Sequence, residues 1–332
     1  MKIGFAHLPG DEVKESINLI QVGEDEGFDA AWLPDQEFYQ DPYAMLSLAA
    51  QATESIDLGL AVTNPFTRDP SITARAAGTV GNISNGRFTL GIGSGNLGAV
   101  IRPLGYDASG IPRRCRETIE IVRGLLSGED VSYDGTYHNV EDVYLDFPIE
   151  SKVPIYVGAR GPTMLRMAGE YADGVLVHAV SEESFAYVRK YLKKGAQRAG
   201  RSLDDIDLVS WGPCIIEDAY RGEFDAMYTL FTNQIGSAPR PMLEHLGMSE
   251  TKIETIKTYY DAGEVERLRS FLDPPDFDHF IVRGDADDCI DRVGTIRDSN
   301  IDQFSVLYFG DDLAEISYNV NVFAAQVLPS VR

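Results

Sequence analysis

Several short stretches of this 332-residue chain place permissive or reactive residues directly after apolar runs. Gly93-Ser94-Gly95-Asn96 and Gly158-Ala159-Arg160-Gly161 are rich in glycine, so backbone there can approach a ligand closely. The second stretch leads into Pro162 and a helical pattern from Thr163. A helix N-terminus favours an anion and Arg160 adds a charged donor, so the stretch reads as a phosphate clamp or as a tight turn with an exposed arginine. Pro34-Asp35 and His178-Ala179 contribute titratable side chains. Asp35 is an acid–base candidate or a cap for its own loop; His178 either meets a ligand or hydrogen-bonds inside the fold. Trp211 and Tyr308 line a pocket or pack a core. Leu58–Thr63 ends in Ala61, Val62, Thr63 and Asn64, where a small residue permits a backbone bulge.

These residues share a position: each stretch follows a strand-like run and precedes a helical one. The predicted strands are Lys2–Leu8, Ala30–Leu33, Leu58–Thr63, Phe88–Ile92, Ile155–Val157, Gly174–His178, Ile206–Trp211 and Phe304–Phe309. Between them lie amphipathic segments, the first from about Asp11 to Glu26 with Val13, Ile17, Ile20 and Val22 near helical spacing. Others span about Pro42–Glu54, start near Pro70, cover Pro112–Leu126, start at Thr163, or end the chain. Repeated strand–helix units of this kind predict an α/β fold, a (β/α)8 TIM barrel, with chemistry at the carboxyl ends of the strands. Two stretches fall outside the repeat: about 128–152, a β-like excursion, and about 217–283, mainly helical with a proline loop at Asp273-Pro274-Pro275. No flexible linker separates them, so residues 1–332 read as one domain with insertions. Gly93-Ser94-Gly95-Asn96-Leu97-Gly98 matches the GxGxxG pattern of dinucleotide folds, but Arg102-Pro103 breaks the helix that pattern requires.

Acidic residues outnumber basic ones 52 to 29, for a net charge of −23. Such a surface repels nucleic acid and anionic membranes. Its bias to Asp over Lys suits high salt, where like charges are screened, and predicts a halophilic source. No apolar run reaches the roughly 20 residues of a membrane span, and the amino terminus enters a strand without a signal-peptide pattern. The expectation is a cytoplasmic protein. Cys115, Cys214 and Cys289 lie far apart, the histidines are scattered, and no HExxH occurs, so neither a disulfide framework nor a metal site is predicted.

A resemblance adds to this reading. Gly23–Asp29 with Trp32 and Asp35, Val62–Pro70, Ser84–Arg87 with Leu90–Gly93, Val157–Leu165, Ala199–Asp207 and Glu244–Gly247 resemble, in order, the luciferase-like monooxygenase superfamily, and within it the F420-dependent methylenetetrahydromethanopterin reductases. The resemblance implies a luciferase-like barrel binding coenzyme F420 at its mouth, a non-prolyl cis peptide between Ala61 and Val62, a small-molecule substrate and a homo-oligomer. With the residues above, it assigns cofactor contacts to Ala61, Val62, Thr63, Asn64, Gly93, Asn96, Gly158, Ala159, Arg160, Gly161, His178 and Ala179. Asp35 and His178 are the catalytic candidates. The function implied is hydride transfer between the deazaflavin C5 and a second substrate such as a methylene-tetrahydropterin. The alternatives are an FMN-dependent monooxygenase and a non-catalytic flavin-binding barrel. Three positions depart from the reductase pattern: Ala6 replaces a first-strand Glu, Gln36 replaces the His of an Asp-His pair, and Asn96 replaces an acidic residue. His7 adjoins Ala6, but strand alternation points it to the opposite face.

Overall fold

The computed structural model describes residues 1–332 apart from 10, 11, 37, 223 and 311. The described residues form a closed barrel of eight parallel strands: β1 (Lys2–Ala6), β2 (Ala30–Leu33), β3 (Asp57–Thr63), β4 (Phe88–Ile92), β5 (Ile155–Gly158), β6 (Gly174–His178), β7 (Asp207–Gly212) and β8 (Gln303–Leu307). Neighbours in sequence are neighbours in space, and β1 closes against β8 with Lys2 opposite Gln303. All the predicted strands are present. β1 stops two residues before the expected Leu8, and β8 before the expected Phe309.

The helices start where the sequence supplies caps. After α1 (Val13–Asp25), α2 (Pro42–Ala52) is capped by the Asp41 carboxylate, which accepts from the N–H of Tyr43 at 2.9 Å. α3 (Pro70–Ile83) is capped by Asp69 in the same way, and both helices carry proline in the first turn, where no N–H is needed. α4 (Ile111–Leu126), α5 (Pro162–Tyr171) and α6 (Glu182–Arg198) complete the outer layer on this side. The expected start of the first helix at Asp11 lies outside the described residues. No helix follows Gly93 directly. The loop makes one wide π-helical turn at Leu97–Ile101, and α4 begins only at Ile111, so the GxGxxG match is not a dinucleotide fingerprint.

Between α4 and β5 lies an antiparallel pair, Val131–Asp134 with Asn139–Val143. The buried Glu117 carboxylate on α4 ties its turn down, accepting from the N–H groups of Thr136, Tyr137 and His138 at 2.8–3.1 Å. After β7, a short strand Cys214–Ile216 pairs with Val282–Gly284, and the chain between them holds α7 (Phe224–Ser237) and shorter helices. The expected proline loop is instead a one-turn helix, Pro274–Phe277, because Asp273 and Asp276 form a reciprocal cap around a proline suited to the first turn.

Two apolar layers result. Ile3, Phe5 and Leu60 face the helices, while Ala6, Trp32, Tyr156, Leu176 and Trp211 fill the barrel interior. Small residues face large ones inside. A Cβ on Gly59 would lie 2.0 Å from the Trp32 ring, and one on Gly174 would lie 2.7 Å from Tyr156. Alternation along β1 is as expected: Ala6 is interior, whereas His7 is buried outside the barrel, its Nε2 2.6 Å from the Ser16 Oγ of α1.

Candidate functional site

The carboxyl end of the barrel opens into a cavity of about 590 Å³. Its floor comes from β3. The peptide bond between Ala61 and Val62 is cis, and the β3–β4 register shifts between Leu60 and Thr63, so these two residues leave the sheet as a ledge. Glycines frame that ledge. A Cβ on Gly93 would stand 2.5 Å from Val62, and a Cβ on Gly158 3.1 Å. Gly93 thus makes room for Val62 and does not itself line the cavity, whereas Gly158 does both.

The wall is built from β5 and β6. Gly158, Ala159, Arg160 and Gly161 line it, and α5 starts immediately behind them, with Met164 of its first turn also on the cavity. First-turn N–H groups lack intrahelical partners, so an anion is favoured here. Arg160 itself is not an exposed arm. One guanidinium nitrogen donates to the carbonyl and side-chain oxygens of Gln234 at 3.0 and 2.6 Å, and another to the Ser237 hydroxyl at 3.1 Å. It therefore caps the carbonyl end of α7 and latches the insertion to the mouth. Burial lowers its pKa, and among the described residues no carboxylate pairs with it.

His178 and Trp211 complete the pocket, edge to face at 6.1 Å between ring centroids. His178 Nδ1 and Trp211 Nε1 are buried and have no hydrogen-bond partner among the described residues. Such groups cost roughly 1–3 kcal/mol each unless something bonds to them. Burial, reinforced by the nearby Arg160 charge, lowers the His178 pKa to about 4, so the ring is neutral at pH 7.

The other candidates lie around the cavity, not in it. Asp35 accepts from the Thr63 hydroxyl at 2.8 Å, directly behind the ledge; burial raises its pKa. Asn64 folds its own loop, its carbonyl oxygen accepting from the N–H groups of Phe66 and Thr67. The Asn96 carbonyl starts the π-helical turn, and the Ala179 carbonyl accepts from Ser210 at 2.5 Å. Tyr308 is buried in the outer core, away from the cavity. Gln234, Ser237 and Pro239, from the insertion, line the cavity without having been anticipated, as do Leu97 and Pro112, whereas Ser94 lies in a strand-end stretch that was. Among the described residues no group of His, Cys, Asp and Glu side chains is arranged to hold a metal ion.

Residues 2–303 match the model of a family described as Luciferase-like monooxygenase. Over 307 residues the chain is 32% identical to the 5,10-methylenetetrahydromethanopterin reductase of Archaeoglobus fulgidus, covering 91% of this chain and 92% of that protein. It is 29% identical to the F420-dependent glucose-6-phosphate dehydrogenase of Microbacterium testaceum, covering 96% and 93%. The solved structure of the coenzyme F420-dependent tetrahydromethanopterin reductase from Methanopyrus kandleri superposes with a TM-score of 0.79 at 29% identity, over the whole of both chains.

Proposed function

The chain belongs to the luciferase-like monooxygenase family, and from that membership we propose that it is a coenzyme F420-dependent oxidoreductase. It passes a hydride between the deazaflavin C5 and a small-molecule second substrate. The observation that carries this reading is the chain-long similarity to an F420-dependent reductase and an F420-dependent dehydrogenase, with no large part of either chain left over. The cavity fits the group: its volume is ordinary for a cofactor site, its floor is apolar, its sides mix apolar and polar groups, and two buried ring nitrogens have no hydrogen-bond partner among the described residues. Ala61 and Val62 would support the ring, His178 and Trp211 would face polar atoms of the cofactor, and Gly158–Gly161 with the first turn of α5 would hold its phosphate side. When bound, the deazaflavin supplies or accepts the hydride.

The protein's own part is positional. It holds two reacting carbons together and excludes water from them. Among the described residues no carboxyl lines the cavity: His178 is neutral at pH 7, and Asp35 is turned toward Thr63. This favours a hydride acceptor that needs no acid, such as the iminium carbon of a methylene-tetrahydropterin. The test is a strictly anaerobic assay with reduced F420 and a methylene-tetrahydropterin, followed by oxidation of the deazaflavin. Oxygen-dependent turnover with reduced FMN instead would place the protein among monooxygenases. Stoichiometric cofactor binding with no turnover across a panel of hydride acceptors would leave a non-catalytic binder.

Further proposals concern the setting. Among the described residues no helix is long and apolar enough to cross a membrane, and all three thiols are buried and unpaired, in keeping with the cytoplasm. The 52 acidic against 29 basic residues support a high-salt habitat. Melting temperature is expected to rise with potassium chloride concentration, and a fall would remove the halophilic reading. α2 carries no charged residue, yet Leu48 on it is 52% exposed, which supports a homo-oligomer detectable by light scattering.

A further inference from the structure

Outside the barrel mouth, a groove of about 580 Å³ runs between α4 and α5. It is lined by Arg113, Arg116, Arg166 and Arg198 against a single carboxylate, Glu170. In a chain with 52 acidic and 29 basic residues, this inverts the surface average. Internal pairing consumes little of the donor capacity. Arg113 meets Glu117 at 2.9 Å and Arg198 meets Glu170 at 3.1 Å, each through one nitrogen. The Arg116–Glu120 approach is longer, at 3.5 Å. Arg166 donates to the Thr163 hydroxyl at 3.2 Å and has no ion-pair partner among the described residues.

The groove adjoins the cavity. Pro112 lines both, and Thr163 in the groove is followed by Met164 in the cavity. Both α4 and α5 begin at this junction, so two positive helix ends reinforce the arginines.

We propose that this groove binds the polyanionic tail of the deazaflavin coenzyme, whose glutamyl carboxylates leave the mouth past Pro112 and Thr163 and lie along the arginines. The proposal rests on the cofactor reading above. Guanidinium groups match carboxylates in geometry, and the acidic remainder of the surface repels such a tail from other paths. Exposed pairs are individually weak and screened by salt, so the gain is modest, about tenfold in affinity for the tail as a whole.

The experiment is an anaerobic titration, without second substrate, of three deazaflavins: one with an oligoglutamyl tail, one ending at the phosphate, and one with the ribityl chain alone. It is run on the wild type, on Arg166→Glu, and on Arg166→Gln combined with Arg198→Gln, all sites on the exterior, with melting curves as the folding control. The expected result is about tenfold tighter binding of the tailed form than of the phosphate form, reduced to less than about threefold in both variants and in high salt. Equal binding of these two forms to the wild type overturns the proposal while leaving the cofactor reading intact. So does an advantage that the variants keep in full. If the arginines serve an anionic second substrate instead, the variants leave all three titrations unchanged and raise only that substrate's KM, which also overturns it. A folded wild type that binds none of the three removes both readings.

Discussion

The two ends of the barrel use polar groups in opposite ways. At the amino end, carboxylates placed just before alternate strands reach back to the strand before. Asp29 accepts from the N–H of Ile3 at 2.7 Å, Asp173 from Ile155 at 2.9 Å, and Asp302 from Leu208 at 2.7 Å. Asp207 takes the Tyr156 hydroxyl, and Lys2 pairs with Asp57. At the carboxyl end, His178 Nδ1 and Trp211 Nε1 are buried beside the cavity without partners among the described residues. The first arrangement stabilises strand starts. The second leaves bonding capacity for a ligand, the division of labour expected of such barrels.

That contrast can be broken from either end. The largest effect is expected for Gly158→Val, whose Cβ would stand 3.1 Å from Val62 and press on the ledge. The added side chain would also take up cavity space beside the ledge, and an expected binding loss of about 2 kcal/mol is roughly thirtyfold in deazaflavin affinity; the clash itself lowers the melting temperature by a few degrees, with the barrel still folded. Unchanged binding by titration would take the loop out of the site. Asp302→Ala is the mirror experiment. It strands the Leu208 N–H and is expected to cost about 1.5 kcal/mol in denaturant unfolding while cofactor affinity stays constant.

An effect smaller than these per pH unit sharpens the comparison through pH. Burial lowers the His7 pKa to about 3, so the unfolded chain, with an ordinary histidine, binds the proton first. Stability therefore falls as pH drops below about 6.5, by up to about 1.4 kcal/mol per pH unit from this residue, until the folded pKa is reached. His7→Gln should flatten that slope, and an unaltered slope would mean another group governs it. The smallest effect is expected for His178→Ala, which removes one bonding position from the cavity and lowers cofactor affinity and turnover about fivefold. Wild-type kinetics would reduce it to a packing residue.

The barrel strands were legible because each is a short apolar run bounded by turn-forming residues, and the interior and exterior faces followed from alternation, as Ala6 and His7 illustrate. The wall of the site was legible for a similar reason: Gly158–Gly161 and His178 sit at strand ends, where position alone predicts access. Asp35 and Asn64 also sit at strand ends, but short polar side chains bond to whatever lies next to them. One turned to Thr63 and the other to its own loop, an outcome decided by local geometry. Gln234, Ser237 and Pro239 were illegible because the insertion meets the mouth through contacts some 74–77 residues distant from Arg160, and no periodicity encodes such contacts. The arginine groove was hidden likewise, its residues being spread over α4, α5 and α6.

The most direct test of the central claim is anaerobic equilibrium binding of coenzyme F420 and of FMN to the purified protein in high-salt buffer. Tight binding of F420 with clear preference over FMN is the result predicted. Preference for FMN, or no binding of either by demonstrably folded protein, would contradict it.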